Sequence, residues 1–510
     1  MKKWPLSVCF LAVLLSAVAC GSSELPPAPE SNDGSVTAPS SDSESQPEEQ
    51  SSAPAYDIPE PELPAVDFGG ESFQLYCGTV GLAGNLTRLG TLGDEYLLFP
   101  AESFLSSEVL TGEVVNDAVF NRNLAVEERF NLKIRIVESE LRADQLVQAG
   151  ERLDLVMESG SILAETASTG AFYNLLDFPY INLEAEYWSP RCLEGTIVDN
   201  LVYVMPNDIC LDPLVHTGIL YFNKRILAEN DLESPYDMVH NNTWTLDNFL
   251  NLVRSVHKDL NGDGKMDLDD LYGGAFRIEW RMGAFMQFYY GAGQTYSKVD
   301  EEQGRVLAFN GEIVQSIIDR LSEVIDDNSI CIDNADVEKL NGDNATYDSM
   351  FLEGKALFIQ HFITSTDVFR EMEDDFGIVP NPKYDTQQDR YYQKVDVGSG
   401  MFSIPVTTAS DEQTGAITEY MAWLSHCTVL PAYYEITIKT KRVRDEEAVE
   451  MLDIIRNSRV FEFADLYYTT IPHYVWDSYT ARSFANKVGA SEKLLKKRLA
   501  TYVSKVRRIE

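Results

Sequence analysis

Basic residues are scarce in this sequence: 41 Lys and Arg stand against 81 Asp and Glu, and the net charge is −40. Proteins that bind nucleic acid or anionic membrane surfaces do so largely through clustered Lys and Arg side chains. The shortage therefore argues against both kinds of partner. It also argues against an anionic solute, unless a local basic pocket overrides the average.

Common catalytic motifs are absent as well. The sequence has no Gly-x-Ser-x-Gly turn, no His-Glu-x-x-His helix and no Gly-x-x-x-x-Gly-Lys-Ser/Thr phosphate loop. Apart from Cys9 and Cys20, five cysteines remain, an odd number without metal-site spacing, which indicates neither a zinc site nor a disulfide framework. One bridge such as Cys192 to Cys210 stays open. A glycosidase needs only two carboxylates, so motifs do not exclude it.

The N-terminus, residues 1–19, has the layout of a secretory signal peptide. Lys2 and Lys3 precede an apolar run that is shorter than the roughly 20 residues a membrane-spanning helix needs. Residues 16–20 resemble a bacterial lipobox, although Ala17 stands where that pattern more often has Leu. The resemblance implies a lipid on Cys20, and a diacyl group holds a protein stably on a membrane. Cleavage without lipidation is the alternative.

Residues 20–66 consist mainly of Ser, Pro, Glu, Asp, Gly and Ala, with ten acids and no Lys or Arg. Such a segment has almost no large apolar side chains to bury, so it cannot offset the entropy lost on ordering. Mutual repulsion of the acids extends it. We therefore predict a disordered tether between the lipidated Cys20 and a body that starts at residue 67.

The first part of the body predicts parallel βαβ units. Residues 72–77 and 132–136 have strand character, and residues 118–129 between them have a helical pattern. A further strand, residues 153–157, runs into a polar turn that contains Ser159. Ligands bind beyond the carboxyl ends of strands in open α/β sheets, which makes this turn a candidate binding edge. An ordinary loop with a Ser N-cap is the alternative.

Four later segments carry a family resemblance. Residues 219–227 form an apolar strand followed by Asn-Lys, and residues 243–249 contain Thr-Trp before an acidic helix start. Residues 351–358 contain Phe-x-x-Gly-Lys-Ala, and residues 376–380 form a strand that ends in Pro. In this order the segments resemble bacterial extracellular solute-binding proteins of the sugar-binding class.

The resemblance implies an α/β fold class: a two-lobed, periplasmic-binding-protein-like fold of type 2, with the ligand cleft between lobes that crossing strands join. A body of this length also exceeds what one core usually supports. By chain order, lobe 1 would comprise residues 67–218 plus 379–408. Lobe 2 would comprise residues 219–378 plus 409–510.

The resemblance also implies a function and partners. The chain is expected to be the substrate-capture lipoprotein of an ABC transporter, which binds a carbohydrate, an oligosaccharide above all, at the outer face of the cell membrane. It would deliver this solute to a membrane permease, act as a monomer and have no enzyme activity. The alternatives are a secreted glycoside-active enzyme, a cell-surface adhesion protein and a binding protein for a non-sugar solute such as a peptide.

Ligand residues of the second lobe follow from the same resemblance. It places an acid and an aromatic against the sugar at Glu279, Trp280 and Arg281. Sugar rings stack on aromatic faces, while charged groups hold the hydroxyls. Core packing is the alternative for Trp280. His361 falls where the family often presents another aromatic, and a structural histidine is the alternative there.

Ligand residues of the first lobe are expected at Ser159, Asp208, Gly398 and Ser399. Asp208 follows an apolar stretch that ends at Met205. The Gly398-Ser399-Gly400 segment allows close approach of a ligand to the backbone, because glycine lacks a Cβ atom. A tight bend into a strand would use the same residues.

Residues 259–270 match a twelve-residue calcium loop, which takes ligands from positions 1, 3, 5, 7, 9 and 12 around a Gly at position 6. Asp at position 12 resembles dockerin loops, whereas intracellular sensors have Glu there. We predict a structural calcium ion, with a solvated acidic turn as the alternative. The predicted ligands are Asp259, Asn261, Asp263, Lys265 through its carbonyl, Asp267 and Asp270.

Overall fold

Strands and helices alternate along the chain of the computed structural model, which describes residues 58–78, 104–137, 139, 141–278, 283–341, 347–370, 372–439, 446–467 and 469–507. The strands are β1 (Ser72–Cys77), β2 (Lys133–Val137), β3 (Leu155–Ser159), β4 (Gly218–Asn223), β5 (Tyr272–Phe276), β6 (Ser297–Asp300), β7 (Gly304–Leu307), β8 (Cys331–Asp333), β9 (Ala356–Phe362), β10 (Phe376–Val379), β11 (Gln393–Lys394), β12 (Gly400–Ser403) and β13 (Arg459–Val460).

The helices before β4 are α1 (Val114–Phe130), α2 (Ala143–Gln148), α3 (Gly160–Ala167), α4 (Leu193–Thr196) and α5 (Asp212–Val215). Those between β4 and β10 are α6 (Lys224–Glu229), α7 (Pro235–His240), α8 (Leu246–Arg254), α9 (Ala284–Gly291), α10 (Gly311–Val324), α11 (Asn334–Asn341), α12 (Tyr347–Leu352) and α13 (Thr366–Phe369). After β12 come α14 (Asp411–Lys439), α15 (Glu446–Asn457), α16 (Phe463–Leu466), α17 (Ile471–Thr480) and α18 (Ala490–Arg507). Single 3-10 or π-helical turns lie at Leu175–Asp177, Glu186–Trp188, Pro190–Cys192, Ile363–Ser365 and Ala485–Gly489.

The first sheet has the strand order β12-β3-β1-β2. β1 pairs in parallel with both β2 and β3, and β12 runs antiparallel to β3. All five residues of β3 are buried, as expected for an inner strand of a sheet with both faces covered. Helix α1 connects β1 to β2 and begins where Glu113 accepts a hydrogen bond from Asn116 N at 2.7 Å. The predicted βαβ units are thus confirmed.

The second sheet has the order β10-β4-β9-β5-β8. β5 runs parallel to β8 and β9, whereas β4 is antiparallel to its neighbours β9 and β10. The sheet contains three of the segments on which the family resemblance rests, in β4, β9 and β10. Two open sheets, each with helices packed on it, confirm the predicted α/β fold class.

Two segments of the chain pass from one sheet to the other side by side. One runs from Met205 into β4, and the second runs from β10 through β11 into β12. Thr217 and Val395 form an antiparallel bridge between them. Asp396 N donates to His216 O at 3.2 Å beside this bridge. The crossing strands that the resemblance implied are therefore paired with each other.

Helix α14 packs beside the first sheet, whereas the sequence analysis assigned residues from 409 onward to the second lobe. The ring of Tyr420 lies 5.6 Å from that of Phe130 in α1. Arg122 Nη1 of α1 donates to Ser425 Oγ at 3.0 Å. Helix α15 in turn packs against β10 of the second sheet. The C-terminal helices contact both sheets, and no local sequence pattern indicates this.

The end of the predicted tether also belongs to the body. Ile58, Leu63 and Val66 pack against the hydrophobic core. Trp423 Nε1 donates to Ile58 O at 3.2 Å. The described residues 58–66 are therefore ordered by these apolar contacts, which the surrounding acids and prolines obscure in the sequence.

A buried carboxylate, Glu462, ties the segment before α16 to the β6–β7 hairpin. Its Oε1 accepts hydrogen bonds from Ser297 N at 2.8 Å and from Ser297 Oγ at 2.5 Å. Arg305 Nη1 donates to the same hydroxyl at 3.0 Å. Burial raises the pKa of Glu462 to about 7.

We expect Glu462 to make stability depend on pH. Its carboxyl binds a proton more tightly in the folded chain than in the unfolded one, where its pKa is 4.5. Its contribution to stability is therefore present below pH 4.5 and is lost as the pH rises through about 7, in total on the order of 3 kcal/mol. Urea unfolding across this pH range measures the effect. Glu462→Gln should flatten the profile, whereas Glu312→Gln, at an exposed site, should not. Identical profiles for the wild type and Glu462→Gln would contradict this assignment.

Candidate ligand-binding site

The carboxyl end of β3 meets the amino end of β12 at one edge of the first sheet. Gly400 pairs with Ser159. Gly160 N donates to Ser399 O at 3.0 Å. This first-sheet edge brings the predicted ligand residue Ser159 together with Gly398 and Ser399, two further predicted ligand residues that lie far from it in the chain.

The hydroxyls of the first-sheet edge are hydrogen-bonded within it. Ser159 Oγ lies 3.0 Å from Ser161 Oγ. Ser399 Oγ donates to Asp396 O at 2.6 Å, and Gly398 N donates to Asp396 Oδ1 at 2.7 Å. The Gly-Ser-Gly segment is therefore a tight turn into β12, which was the alternative expectation. A ligand role for these residues stays a prediction, since a ligand would have to share or replace these bonds.

The corresponding edge of the second sheet lies at the carboxyl ends of β5, β8 and β9. His361 stands at the end of β9, and Arg277 and Ile278 follow β5. Ile278 N donates to Oδ1 of Asp333, the last residue of β8, at 3.1 Å. This second-sheet edge therefore gathers a histidine, an arginine and an aspartate.

His361 is held in one orientation. Its Nδ1 accepts a hydrogen bond from Phe362 N at 2.9 Å and contacts the hydroxyl of Ser365. The proton therefore sits on Nε2, which faces Asp348 Oδ1 at 3.6 Å. Burial lowers the pKa of His361 below its ordinary value. Tyr347 stacks on the ring at 5.8 Å.

Glu279, Trp280 and Arg281, the predicted ligand residues of the second lobe, lie outside the described residues. The chain enters this stretch from Ile278 on the second-sheet edge. Their predicted role thus stays a prediction.

A buried ion pair links the two edges at the crossing. Asp212 Oδ1 lies 2.9 Å from His216 Nδ1, and Asp212 Oδ2 accepts a hydrogen bond from Gly400 N at 2.6 Å. The His216 ring packs edge-on against Phe362 at 5.6 Å. Although burial by itself lowers the pKa of His216, the facing Asp212 carboxylate raises it above its ordinary value. This pair is not among the residues predicted from the sequence, although its i, i+4 spacing is a recognisable signal.

Three buried amides surround the start of β4. Asn381 Nδ2 donates to Gly218 O at 3.0 Å and to Gln393 Oε1 at 2.9 Å. It also lies 3.3 Å from Gln287 Oε1. The network joins both crossing segments to helix α9. Amides have no characteristic spacing, and the sequence analysis missed them too.

The first-sheet edge and the second-sheet edge are connected by the two paired crossing segments. This arrangement suits a protein that holds a solute between two sheets. A sequence model of bacterial extracellular solute-binding proteins matches residues 125–437, more than half of the chain. The chain belongs to this family. No curated protein matches the chain closely enough in sequence to count as a relative.

Solved structures agree with this solute-binding protein in fold. A sugar transporter from Rhizobium etli, in an open conformation, superposes with a TM-score of 0.52 at 12% identity, and the match covers 86% of this chain and 100% of that one. UspC from M. tuberculosis superposes with a TM-score of 0.50 at 12% identity, with the same coverage. At this identity the likeness concerns the fold alone.

Asp208 of the solute-binding protein, a predicted ligand residue, is paired with two side chains inside the protein. Its Oδ2 lies 2.8 Å from Arg456 Nη2 and 2.8 Å from His426 Nδ1. Burial by itself raises the pKa of the Asp208 carboxyl, but Arg456 and His426 together lower it below its usual value. The carboxylate joins helix α14 to helix α15 through His426 and Arg456, and its ligand role stays a prediction.

The predicted calcium loop turns its oxygens inward. Asp259 accepts hydrogen bonds from Gly262 N at 2.6 Å and Gly264 N at 2.8 Å. Asp270 accepts from Leu260 N at 2.8 Å and from Asp267 N at 2.9 Å. Gly264, at loop position 6, has a φ of 81°, which favours glycine. The donor set and the turn fit a calcium ion, whose binding stays a prediction.

The disulfide bridge between Cys192 and Cys210 that the sequence left open does not form, because both residues are free thiols. A cavity of about 790 Å³ lies against α1 and β2, but none of the predicted ligand residues lines it. None of the helices among the described residues has both the length and the apolar character needed to cross a membrane.

Substitution of Asp212 tests how much the Asp212–His216 pair stabilises the fold at the crossing segments. Asp212→Ala removes the carboxylate that faces the buried His216 and accepts a hydrogen bond from Gly400 N, and we expect the free energy of unfolding to fall by about 3 kcal/mol. Urea denaturation measures this loss. Glu233→Ala, at an exposed carboxylate, should change stability by less than about 0.5 kcal/mol. Equal stability of the two variants would show that the pair does not hold the crossing.

Proposed function

We propose that this solute-binding protein is the capture component of an ABC importer and that it holds a carbohydrate between the first-sheet and second-sheet edges. The family match carries the proposal, because members of this family bind solutes outside the cell. The paired crossings support it, since two sheets joined by adjacent segments of the chain can close on a ligand. Delivery to a membrane permease is part of the same proposal.

Three features support a carbohydrate over other solutes. The edges carry the hydroxyls of Ser159 and Ser161, which are buried and hydrogen-bonded to each other, together with the polar groups of Arg277 and His361. Phe362 and the ring stack on His361 supply aromatic surface beside them. Sugars are held by such combinations of hydrogen-bonding groups and ring faces. The R. etli neighbour is named as a sugar transporter, which agrees with this choice.

Glu279, Trp280 and Arg281 are the proposed main ligand contacts. They follow directly on Ile278, which lies on the second-sheet edge beside Asp333. An aromatic between an acid and a base suits a sugar ring with hydroxyls on both sides. His361, Ser159, Gly398 and Ser399 would complete the site from the two edges.

The remaining parts of the proposal concern location and chemistry. We propose that a lipid on Cys20 anchors the chain at the outer face of the membrane, that the chain is monomeric and that it catalyses no reaction. A binding protein for a peptide would use the same fold and is the alternative for the solute class. In a glycoside-active enzyme or an adhesion protein, the residues of the two sheet edges would need a role other than holding a solute.

A panel of mono- and oligosaccharides tests the function by thermal shift, because a ligand of the folded state raises the melting temperature by mass action. For the sugar with the largest shift, we expect Trp280→Ala to weaken binding roughly thirtyfold, since stacked aromatics contribute on the order of 2 kcal/mol. Isothermal calorimetry measures the affinity. Tyr180→Asn removes an exposed ring elsewhere and should leave the affinity unchanged. A shift with peptides alone would refute the carbohydrate assignment.

Residues 259–270 are proposed to bind one calcium ion as a structural element. Four carboxylates, Asp259, Asp263, Asp267 and Asp270, converge within one short loop, and a cation would relieve their repulsion. The loop is joined to β5 by hydrogen bonds between Lys258 and Leu271, so its order affects the second sheet. Calcium outside the cell would keep the site occupied, so the bound ion would be a permanent structural element.

Removal of calcium by a chelator tests this structural role. A chelator should lower the melting temperature, calcium should restore it and magnesium should do so poorly because it demands a tighter octahedral shell. Asp263→Ala should abolish the calcium response and leave sugar affinity nearly unchanged, whereas Asp319→Ala, at an exposed helical site, should keep the response. A wild-type melting temperature that is the same in chelator and in calcium would reduce the loop to a solvated turn.

A further inference from the structure

Helices α7 and α15 bring four metal-ligating side chains together at the surface. Both helices pack beside β10 of the second sheet. Asp237 and His240 lie one turn apart on α7, and Glu447 and Glu450 lie one turn apart on α15. His240 Nε2 lies 2.8 Å from Glu450 Oε2. Each helix therefore contributes an i, i+3 pair to one cluster.

The geometry of the cluster suits a small cation. One ligand atom each from Asp237, His240 and Glu447 lies within 4.8 Å of the other two. Donors around a tetrahedral zinc ion stand about 3.4 Å apart, because the bonds are about 2.1 Å long. All three side chains are exposed, so rotamer changes can close the remaining gap without moving the backbone.

Charge in the cluster is uncompensated. Three carboxylates surround one imidazole, and no ion pair joins Asp237 or Glu447 to a Lys or Arg within the described part of the chain. A bound divalent cation would remove the repulsion among the acids. Glu450 can hold the His240 ring, as carboxylates do behind metal-bound histidines, or act as a fourth ligand.

The types of ligand atom in the cluster indicate which metal ion it would bind. An imidazole nitrogen with two or three carboxylate oxygens is a zinc-type ligand set, whereas calcium and magnesium prefer oxygen alone. The cluster thus differs in chemistry from the proposed calcium loop. It was invisible to sequence analysis because His240 and Glu450 are 210 residues apart.

We propose that Asp237, His240 and Glu447, with Glu450, bind one Zn²⁺ ion that joins α7 to α15. The ion fastens the C-terminal helices to the second sheet at a point distant in sequence from the candidate ligand edges. Its binding does not depend on a carbohydrate, so the proposal stands or falls separately from the proposed function.

Calorimetric titration of untagged protein with Zn²⁺, in saturating calcium, tests the proposal. We expect one ion per chain and a rise in melting temperature. His240→Ala and Glu447→Gln should each weaken zinc binding at least tenfold, since each removes a ligand from the ion. His257→Ala is the matched control, because His257 is also exposed and lies on a different surface segment.

Two outcomes would overturn the site. The first is a wild-type chain that binds no zinc when the ion is in large molar excess. The second is zinc binding that is equal in wild type and His240→Ala, or lost equally in His257→Ala. All the substituted side chains are exposed, so the variants should fold, and circular dichroism checks that they do.

Discussion

The buried pair of Asp212 and His216 is the contact on which the two-sheet arrangement depends. Asp212 holds the first residue of β12 through Gly400 N, and His216 packs on Phe362 at the end of β9. One carboxylate and one imidazole thus connect both candidate ligand edges at the place where the chain crosses between sheets. Because a buried pair is costly to break, a relative movement of the sheets would have to be taken up around this point.

Much of the fold could be predicted from the sequence because its signals are local. The strands of the first sheet and the segments in β4, β9 and β10 have apolar runs with turn residues at their ends, which the structure confirms. The position of α14 could not be predicted, because it depends on Arg122 and Ser425, which are 303 residues apart. The internal pairing of Asp208 could not be predicted for the same reason, because its partner Arg456 is 248 residues away.

The candidate site also has some features that could be predicted from the sequence and others that could not. The calcium loop is contiguous, so its residue pattern alone indicates the arrangement that its hydrogen bonds show. Ser159 and Ser399 were each predicted from a local turn, but only the pairing of β3 with β12 shows that they share an edge. Gln287, Asn381 and Gln393 carry no recognisable spacing, and their role at the crossing emerges only from the packing of α9 and the two crossing segments.

In the proposed function, the two sheets close over the solute about the paired crossings and so capture it. Small-angle X-ray scattering of the chain, with and without a saturating carbohydrate selected by thermal shift, measures this closure. Closure predicts that the radius of gyration falls on binding, and that it falls less in Asp212→Ala if the crossing no longer fixes the pivot. A carbohydrate that binds tightly while the radius of gyration stays the same would contradict capture by closure.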